Sequence, residues 1–309
     1  MLTDQPRIAV VICSLGRPEI VRSLLPHLLA QTSPPREIVF AVTGPADLPA
    51  DIDWAGFPVP VRVITSPKGL CVQRNRGLDA AVDENDIIVF FDDDFVPSRY
   101  ALERIARAFA LFPKVSGLTG RVLADGVCSG GIEAEAAARI VADWDADQTD
   151  PGVDPKILAS GLVGLYGCNM AFRTKAIGGL RFDERLPLYS WLEDVDFASR
   201  VPGEKVRSDA LVGVHCGVKA GRERNGRLLG YSQIANPYYL FRKGSVPLGF
   251  ALRLGLRNTV ANHLRAARPE DWIDRRGRMR GNWAAITDIL RGRSAPERVL
   301  NQVAPPQAG

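Results

Sequence analysis

IIVFFDDDFVPS, residues 87 to 98, runs five apolar side chains straight into Asp92, Asp93 and Asp94. A short, continuous run rich in β-branched and aromatic residues is the pattern of a strand covered on both faces in a parallel sheet. Three upstream runs share it: RIAVVIC from Arg7, REIVFAV from Arg36 and VRVITS from Val61. Between them lie two helical stretches, PEIVRSLLPHLLAQ with Pro18 at its start and GLCVQRNRGLDAAV opened by Gly69. Strand alternating with helix predicts an α/β domain with right-handed crossovers and a mainly parallel central sheet flanked by helices. Ligands of such sheets bind beyond the carboxyl ends of the strands. CSLGRP (13 to 18), TGPAD (43 to 47) and the three aspartates all sit at such ends.

If strand geometry persists through the aspartates, Asp92 and Asp94 project to one side and Asp93 to the other. Two carboxylates about 6 to 7 Å apart repel by roughly 2.5 kcal/mol at an effective dielectric near 20. A divalent cation turns that liability into a site, and oxygen-rich ligation suits Mg²⁺ or Mn²⁺ alongside the oxygens of a bound phosphate. The competing reading is a solvated acidic turn, or Asp94 capping the helix that begins near Pro97.

The rest of the chain favours the first reading. From about Arg7 to Asn236 the sequence resembles the inverting glycosyltransferases of family 2, which have the GT-A fold. CSLGRP resembles the first nucleotide-contacting loop of that family, VQRNRGLDAA its A-R-N-x-G helix and FFDDDFVP its F-L-D-x-D-x-x-x-P segment. GLYGCNMAFRTKAI resembles the acceptor loop, FDERLPLYSWLEDVDFASR the segment ending in the x-E-D helix, and VGVHCG the strand with a late histidine. Six motifs in the family's order form a strong signal.

The resemblance implies an inverting transfer from a nucleoside-diphosphate sugar to a hydroxyl acceptor, a glycan or a lipid-linked sugar, in building a surface polysaccharide. It implies a Mn²⁺ or Mg²⁺ site at Asp92, Asp94 and His215. Ser14, Arg17, Thr43, Arg74, Asn75, Asp92 and Asp93 fall at donor-nucleotide positions. Gly167, Cys168, Asn169, Trp191 and Glu193 fall on the acceptor side, and Asp194 matches the catalytic base. Lys219, Arg222 and Arg224 follow His215 and suggest a lid over the diphosphate, with Gly221 and Gly226 as hinges. Asp196, two residues beyond Asp194, is expected to point elsewhere. One departure concerns the base: FAVTGPADLP puts Thr43 where the family usually has an acid, with Asp47 arriving late. Uridine is the commonest family choice, while guanosine and thymidine stay open.

The formal net charge of +4 conceals an asymmetry, because residues 236 to 298 hold thirteen basic side chains against five acidic ones. The expected organisation is therefore a catalytic domain over 1–235, with halves at 1–100 and 101–235, a basic helical extension over 236–300 and a disordered tail over 301–309. On a helical wheel Arg253, Arg257, Arg265 and Arg268 share one sector of about 120°. That sector is either solvated or lies against an anionic membrane. Nucleic acid is excluded, since no stacking aromatics interleave with the charges. Five scattered cysteines without a C-x-x-C pair argue for a reduced cytoplasmic setting, with peripheral membrane contact as the variant. A nucleotidyltransferase would need a G-x-G-T-R loop after the first strand and a dehydrogenase G-x-G-x-x-G; both are missing. A non-catalytic sugar-nucleotide-binding scaffold is the remaining alternative, and the intact D-x-D and x-E-D pairs speak against it.

Overall fold

The apolar runs become strands because most side chains on them find cover. In the computed structural model, which describes residues 5–148, 153–217 and 226–302, β1 (Ile8–Cys13), β2 (Glu37–Val42) and β4 (Ile87–Asp92) are buried along almost their whole length. β3 (Val61–Thr65) is the more exposed edge. These four pair in parallel in the order β3-β2-β1-β4. α1 (Pro18–Leu29) starts on Pro18 and buries Val21, Leu24, Leu25 and Leu28, one face of a 3.6-residue repeat. α2 (Leu70–Ala81) approaches β1 closely: a Cβ on Gly77 would lie 2.5 Å from Cγ1 of Val11. The glycine of VQRNRG is thus a spacing requirement between helix and sheet.

Beyond β4 the sheet becomes mixed. The chain continues through β5 (Phe95–Pro97), α3 (Ala101–Leu111), β6 (Val115–Asp125), α4 (Ala134–Ala146), β7 (Ile157–Ala159), β8 (Asn169–Arg173), α5 (Thr174–Ile177), α6 (Glu193–Arg200) and β9 (Glu204–His215). β8 is antiparallel to both β4 and β6, β9 is parallel to β6, and β5 is antiparallel to β9. The parallel character read from the sequence belongs to β1 to β4. The later strands insert antiparallel neighbours, which locally alternating patterns do not reveal.

The C-terminal part is helical: α7 (Gly226–Lys243), α8 (Leu248–Arg265), α9 (Arg275–Leu290) and a 3₁₀ turn over Pro296–Gln302. Compactness divides the chain into 1–68, 72–182 and 200–218 in one unit, and 69–71, 183–199 and 219–309 in the other. A boundary at 235/236 therefore falls inside α7, and the x-E-D segment groups with the helices. The tail over 303–309 lies outside the described residues.

α7 and α9 meet backbone to backbone. Both carry glycines four apart, Gly226 and Gly230 on α7, Gly277 and Gly281 on α9. A Cβ on Gly230 would stand 2.1 Å from the carbonyl of Arg278, and one on Gly281 2.1 Å from that of Arg227. Polar side chains fill the space beside this contact. Asn262 on α8 donates to Gln233 at 2.8 Å and to Asn282 at 2.9 Å, and accepts from Arg275 at 3.1 Å. Asp288 receives Tyr231 at 2.9 Å, Arg293 at 2.7 Å and Arg298 at 2.8 Å. The buried Asn262, Gln233, Asn282 and Asp288 are thus each paired, which is the condition for burying such groups.

Two outcomes follow for the helical unit. Gly230→Ala or Gly281→Ala should lower its stability by about 2 to 3 kcal/mol, since neither backbone can move aside; chemical unfolding measures this. Hydrogen bonds from Arg275 and Arg265 hold Glu270 down at about 2, and ion pairs hold Asp183, Asp288 and Glu297 below their ordinary values despite burial. Depressed carboxylates stabilise above their unfolded pKa and lose that contribution as protons bind. Helicity followed by circular dichroism should therefore fall between about pH 4.5 and pH 2, and hold above it.

Candidate active site

The three aspartates leave β4 in three different environments. Cys13 sits beside Asp92 in the parallel pairing of β1 with β4, so the next residues along, Ser14 and Asp93, meet: the Ser14 hydroxyl donates to Asp93 Oδ2 at 2.6 Å. Arg17, from the same loop, pairs with Asp93 at 2.5 Å and stands 3.9 Å from Asp94. The Asp93 side chain is fully enclosed. Burial pushes its carboxyl up to about 7 against the pull of Arg17, with the charge of Asp94 adding to the rise. Ser14 thus steadies Asp93, and Asp93 holds Arg17.

Asp92 and Asp94 face the other way, although the chain turns at 93–94 instead of continuing as a strand. It re-enters the sheet as β5, where Phe95 lies opposite His215 and the Cys216 N–H donates to the Asp94 carbonyl at 2.9 Å. This register brings His215 Nε2 to 3.4 Å from Asp94 and 4.0 Å from Asp92. One ligand atom from each of the three lies within 4.8 Å of the others. Neighbouring ligands of a hard divalent ion stand about 3 Å apart, and two carboxylates with one imidazole suit Mn²⁺ or Mg²⁺. The donor set fits such an ion after small side-chain movements. Asp94 and His215 are buried while Asp92 is partly open, leaving one side for incoming oxygens.

Behind His215 stand two residues that sequence reading passed over. Asp125 Oδ1 lies 3.1 Å from His215 Nδ1, and Tyr166 donates to Asp125 Oδ2 at 2.7 Å. The Tyr166 ring meets the imidazole edge-on, with centroids 5.8 Å apart. Asp125 ends β6 and accepts the Val127 N–H at 3.0 Å. Two glycines make this possible: a Cβ on Gly126 would fall 1.8 Å from the Cys216 carbonyl, and Gly217 has φ +64°. The D-G pair at 125–126 and the H-C-G of 215–217 were the available signals; each alone reads as an ordinary turn. Burial disfavours the charged His215, but Asp125, Asp94 and Asp92 outweigh it and hold the imidazole up at about 10. Asp125, against the desolvation cost of its own burial, is held down at about 2 by hydrogen bonds from His215, Tyr166 and Val127.

Arg74 is not on the helix surface. It is buried, with its guanidinium 5.5 Å from the Phe182 ring and 6.0 Å from Phe90, and it donates to Asp92 at 3.0 Å and to the Gly167 carbonyl at 3.0 Å. Asn75 exchanges two hydrogen bonds with the backbone of Phe182, at 3.0 and 2.7 Å. That pairing gives its carboxamide a structural task. Cys168 and Asn169 are buried: the Cys168 carbonyl accepts the Asp92 N–H at 3.1 Å, and the Asn169 side chain accepts from Thr119 at 2.6 Å and Gly120 at 3.1 Å. Residues 167–169 therefore brace the aspartate strand. Thr43 donates to Asp47 from its N–H at 2.6 Å and its hydroxyl at 2.8 Å, and Asp47 also receives Gly16 N–H at 2.6 Å. The late acid clamps the first two strand-end loops together.

In the helical unit, α6 opens with Glu193, Asp194 and Asp196 in its first turn. Asp196 is fully buried and bonded to Lys243 at 2.9 Å and Ser245 at 2.6 Å, so it is occupied, as its position on the helix predicts. Glu193 is buried too, whereas Asp194 is partly exposed. The preceding turn holds Leu188, Ser190 and Leu192 at φ 62°, 57° and 74°, a conformation costing about 1 to 3 kcal/mol for each side chain. Ser190 secures it by donating to the Leu186 carbonyl at 2.6 Å, and the backbone carbonyl of half-buried Trp191 accepts from the Asn236 side chain at 2.8 Å. Lys219, Arg222 and Arg224 lie outside the described residues.

Residues 9–126 match the family model described as glycosyl transferase family 2. Among solved structures, TarS 1–349 of S. aureus is similar with a TM-score of 0.51 and 14% identity, covering 93% of this chain and 92% of that one. The mannosyltransferase PcManGT of Pyrobaculum calidifontis, in complex with GDP-Man and Mn²⁺, gives 0.48 and 16% identity, over 97% of this chain and 79% of that one. No curated protein matches significantly. At 14% identity the likeness to TarS 1–349 is one of fold, a mixed sheet flanked by helices of the GT-A kind. The match to family 2 covers less than half of the chain.

Asp125→Asn should weaken Mn²⁺ binding about 10- to 100-fold, as losing the partner that orients a metal-binding imidazole does elsewhere. Titration calorimetry reads this directly, and an unchanged melting temperature separates it from misfolding. Because the unliganded imidazole keeps its proton well above neutrality, cation affinity should rise with pH, with protons released on binding.

Proposed function

We propose that this protein is a divalent-metal-dependent inverting glycosyltransferase that moves a sugar from a nucleoside-diphosphate sugar to a hydroxyl of a glycan or lipid-linked acceptor, in surface polysaccharide synthesis on the inner side of a membrane. The observation that carries the reading is the Asp92, Asp94 and His215 cluster, backed by Asp125 and open on the Asp92 side. A bound divalent ion there supplies charge neutralisation for the departing diphosphate.

The chain's own residues do the rest. Arg17, held by Asp93 and Ser14, presents a guanidinium at the strand ends for phosphate oxygens. Arg74 fixes Asp92 and ties it to the 167–169 loop. Asp194 accepts the proton of the acceptor hydroxyl as its oxygen bonds to C1 and the C1–O bond to the diphosphate breaks, so attack from the opposite face inverts the anomeric centre. Of the three acids in the first turn of α6, only Asp194 is not buried. The N-terminal end of the helix favours its charged form. Trp191 and Glu193 flank it on the acceptor side, and Lys219, Arg222 and Arg224, which follow His215 in the sequence, supply cations.

Titration of the protein with UDP, GDP and dTDP, each with Mn²⁺ and with EDTA, tests the reading, uridine first. Metal-dependent binding of one nucleotide is expected, and absence of binding to all three would favour a non-catalytic role. Asp92→Ala should weaken the metal-dependent binding. Asp194→Asn should abolish transfer while donor affinity stays nearly unchanged; full turnover in that variant would remove Asp194 as the base.

A further inference from the structure

α8 has two faces of different purpose. Its inner face is fixed by Ala251 and by the buried Asn262 with its three polar partners. Its outer face carries Leu248, Leu252, Leu256, Val260 and Leu264, spaced by four, and all five are exposed, with Leu252, Leu256 and Leu264 at 62%, 67% and 76%. The row is about 24 Å long. Such a ridge is costly in water, and soluble proteins seldom keep one without use.

Its surroundings say what it meets. Arg253 and Arg257 stand in the adjacent row and are exposed. Residues 244–269 include no acidic residue at all. Trp283 on α9, also exposed, donates to His263 at 2.9 Å, beside Leu264 at the end of the ridge. A second copy is a poor occupant, because a two-fold pairing of this face would set both arginines against arginines with no acid on the helix to receive them. An apolar row edged by cations, with an indole at its end, matches an anionic bilayer surface: leucines enter the headgroup boundary while guanidinium groups reach phosphates. Among the described residues no helix is long and apolar enough to cross a membrane, so such contact is peripheral.

We infer that the outer face of α8, with Leu252, Leu256, Val260 and Leu264 inserted and Arg253 and Arg257 on lipid phosphates, is a docking surface for anionic membranes. The sequence placed membrane contact on the shared sector of Arg253, Arg257, Arg265 and Arg268. The structure shifts it, since Arg265 is bonded to Glu270 at 2.7 Å, and leucines take its place. The surface is independent of the transfer chemistry, so its test uses no sugar nucleotide.

The experiment is co-sedimentation of the full chain with vesicles of phosphatidylcholine alone and of phosphatidylcholine with about one-third phosphatidylglycerol. Binding to the anionic vesicles only, weakened by salt, is expected. Arg253→Gln with Arg257→Gln should reduce it about 25-fold, at roughly a factor of five per cation. Leu256→Ser with Leu264→Ser should abolish it while circular dichroism and melting stay unchanged. Leu158→Ser, an exposed leucine elsewhere, should leave binding intact. On binding, the fluorescence should shift to the blue, and Trp283→Phe should remove that shift. The proposal is overturned if the wild-type chain ignores anionic vesicles, if the leucine variants bind as before, or if sedimentation shows a dimer that those substitutions dissociate.

Discussion

Three adjacent carboxylates at the mouth of an apolar core set the terms for the sheet-bearing unit. Left alone they would repel one another by several kcal/mol at the dielectric of a partly buried site, and each is answered by a partner from a different segment. Arg17 and Ser14 come from the loop after β1, Arg74 from α2 and His215 from the end of β9. The partners in turn are held by second neighbours, Phe90 and Phe182 around Arg74, Asp125 and Tyr166 behind His215. The fold's first strand, second helix and last strand are thereby committed to one small volume. That compensation is incomplete on the Asp92 side, where the unit is prepared for more positive charge.

The helical unit solves a different problem. Part of its basic surplus is answered within it: Arg275 is buried against Glu270 and Asn262, while Arg293 and Arg298 converge on Asp288. Glycines let α7 and α9 touch along their backbones, and polar side chains complete the layer. Such an interior gains less from desolvation than an apolar one and more from having a single satisfiable arrangement. Lys243 extends the same logic to the x-E-D segment by pairing with Asp183 and Asp196, so the turn that carries three left-handed residues is tied to α7.

The charge surplus of the C-terminal region was visible in the sequence, but its meaning was not. A wheel sorts residues by angle alone, and it grouped Arg265 with Arg253 and Arg257. The tertiary partners divide them, because Arg265 pairs with Glu270 at 2.7 Å while Arg253 and Arg257 lie exposed. An apolar repeat on a helix usually marks a core face, and the leucines of α8 do not follow that rule. They are exposed because the helix buries its small and amide-bearing side, Ala251 and Asn262, in a polar layer.

The sequence by itself determined the first four strands, the two helices between them and the aspartates at the strand end, since continuous apolar runs and alternation are local properties. It also identified Asp92, Asp94 and His215 as a group through motif order, and Asp196 as occupied elsewhere through helical phase. Only the tertiary structure decided that Arg74 and Asn75 are interior, that Asp47 clamps two loops, and that Asp125 and Tyr166 stand behind the histidine. These assignments depend on pairings between residues up to 107 positions apart. Nothing in the pattern near either partner encodes them, because what selects the pair is the strand register that brings them within hydrogen-bonding distance.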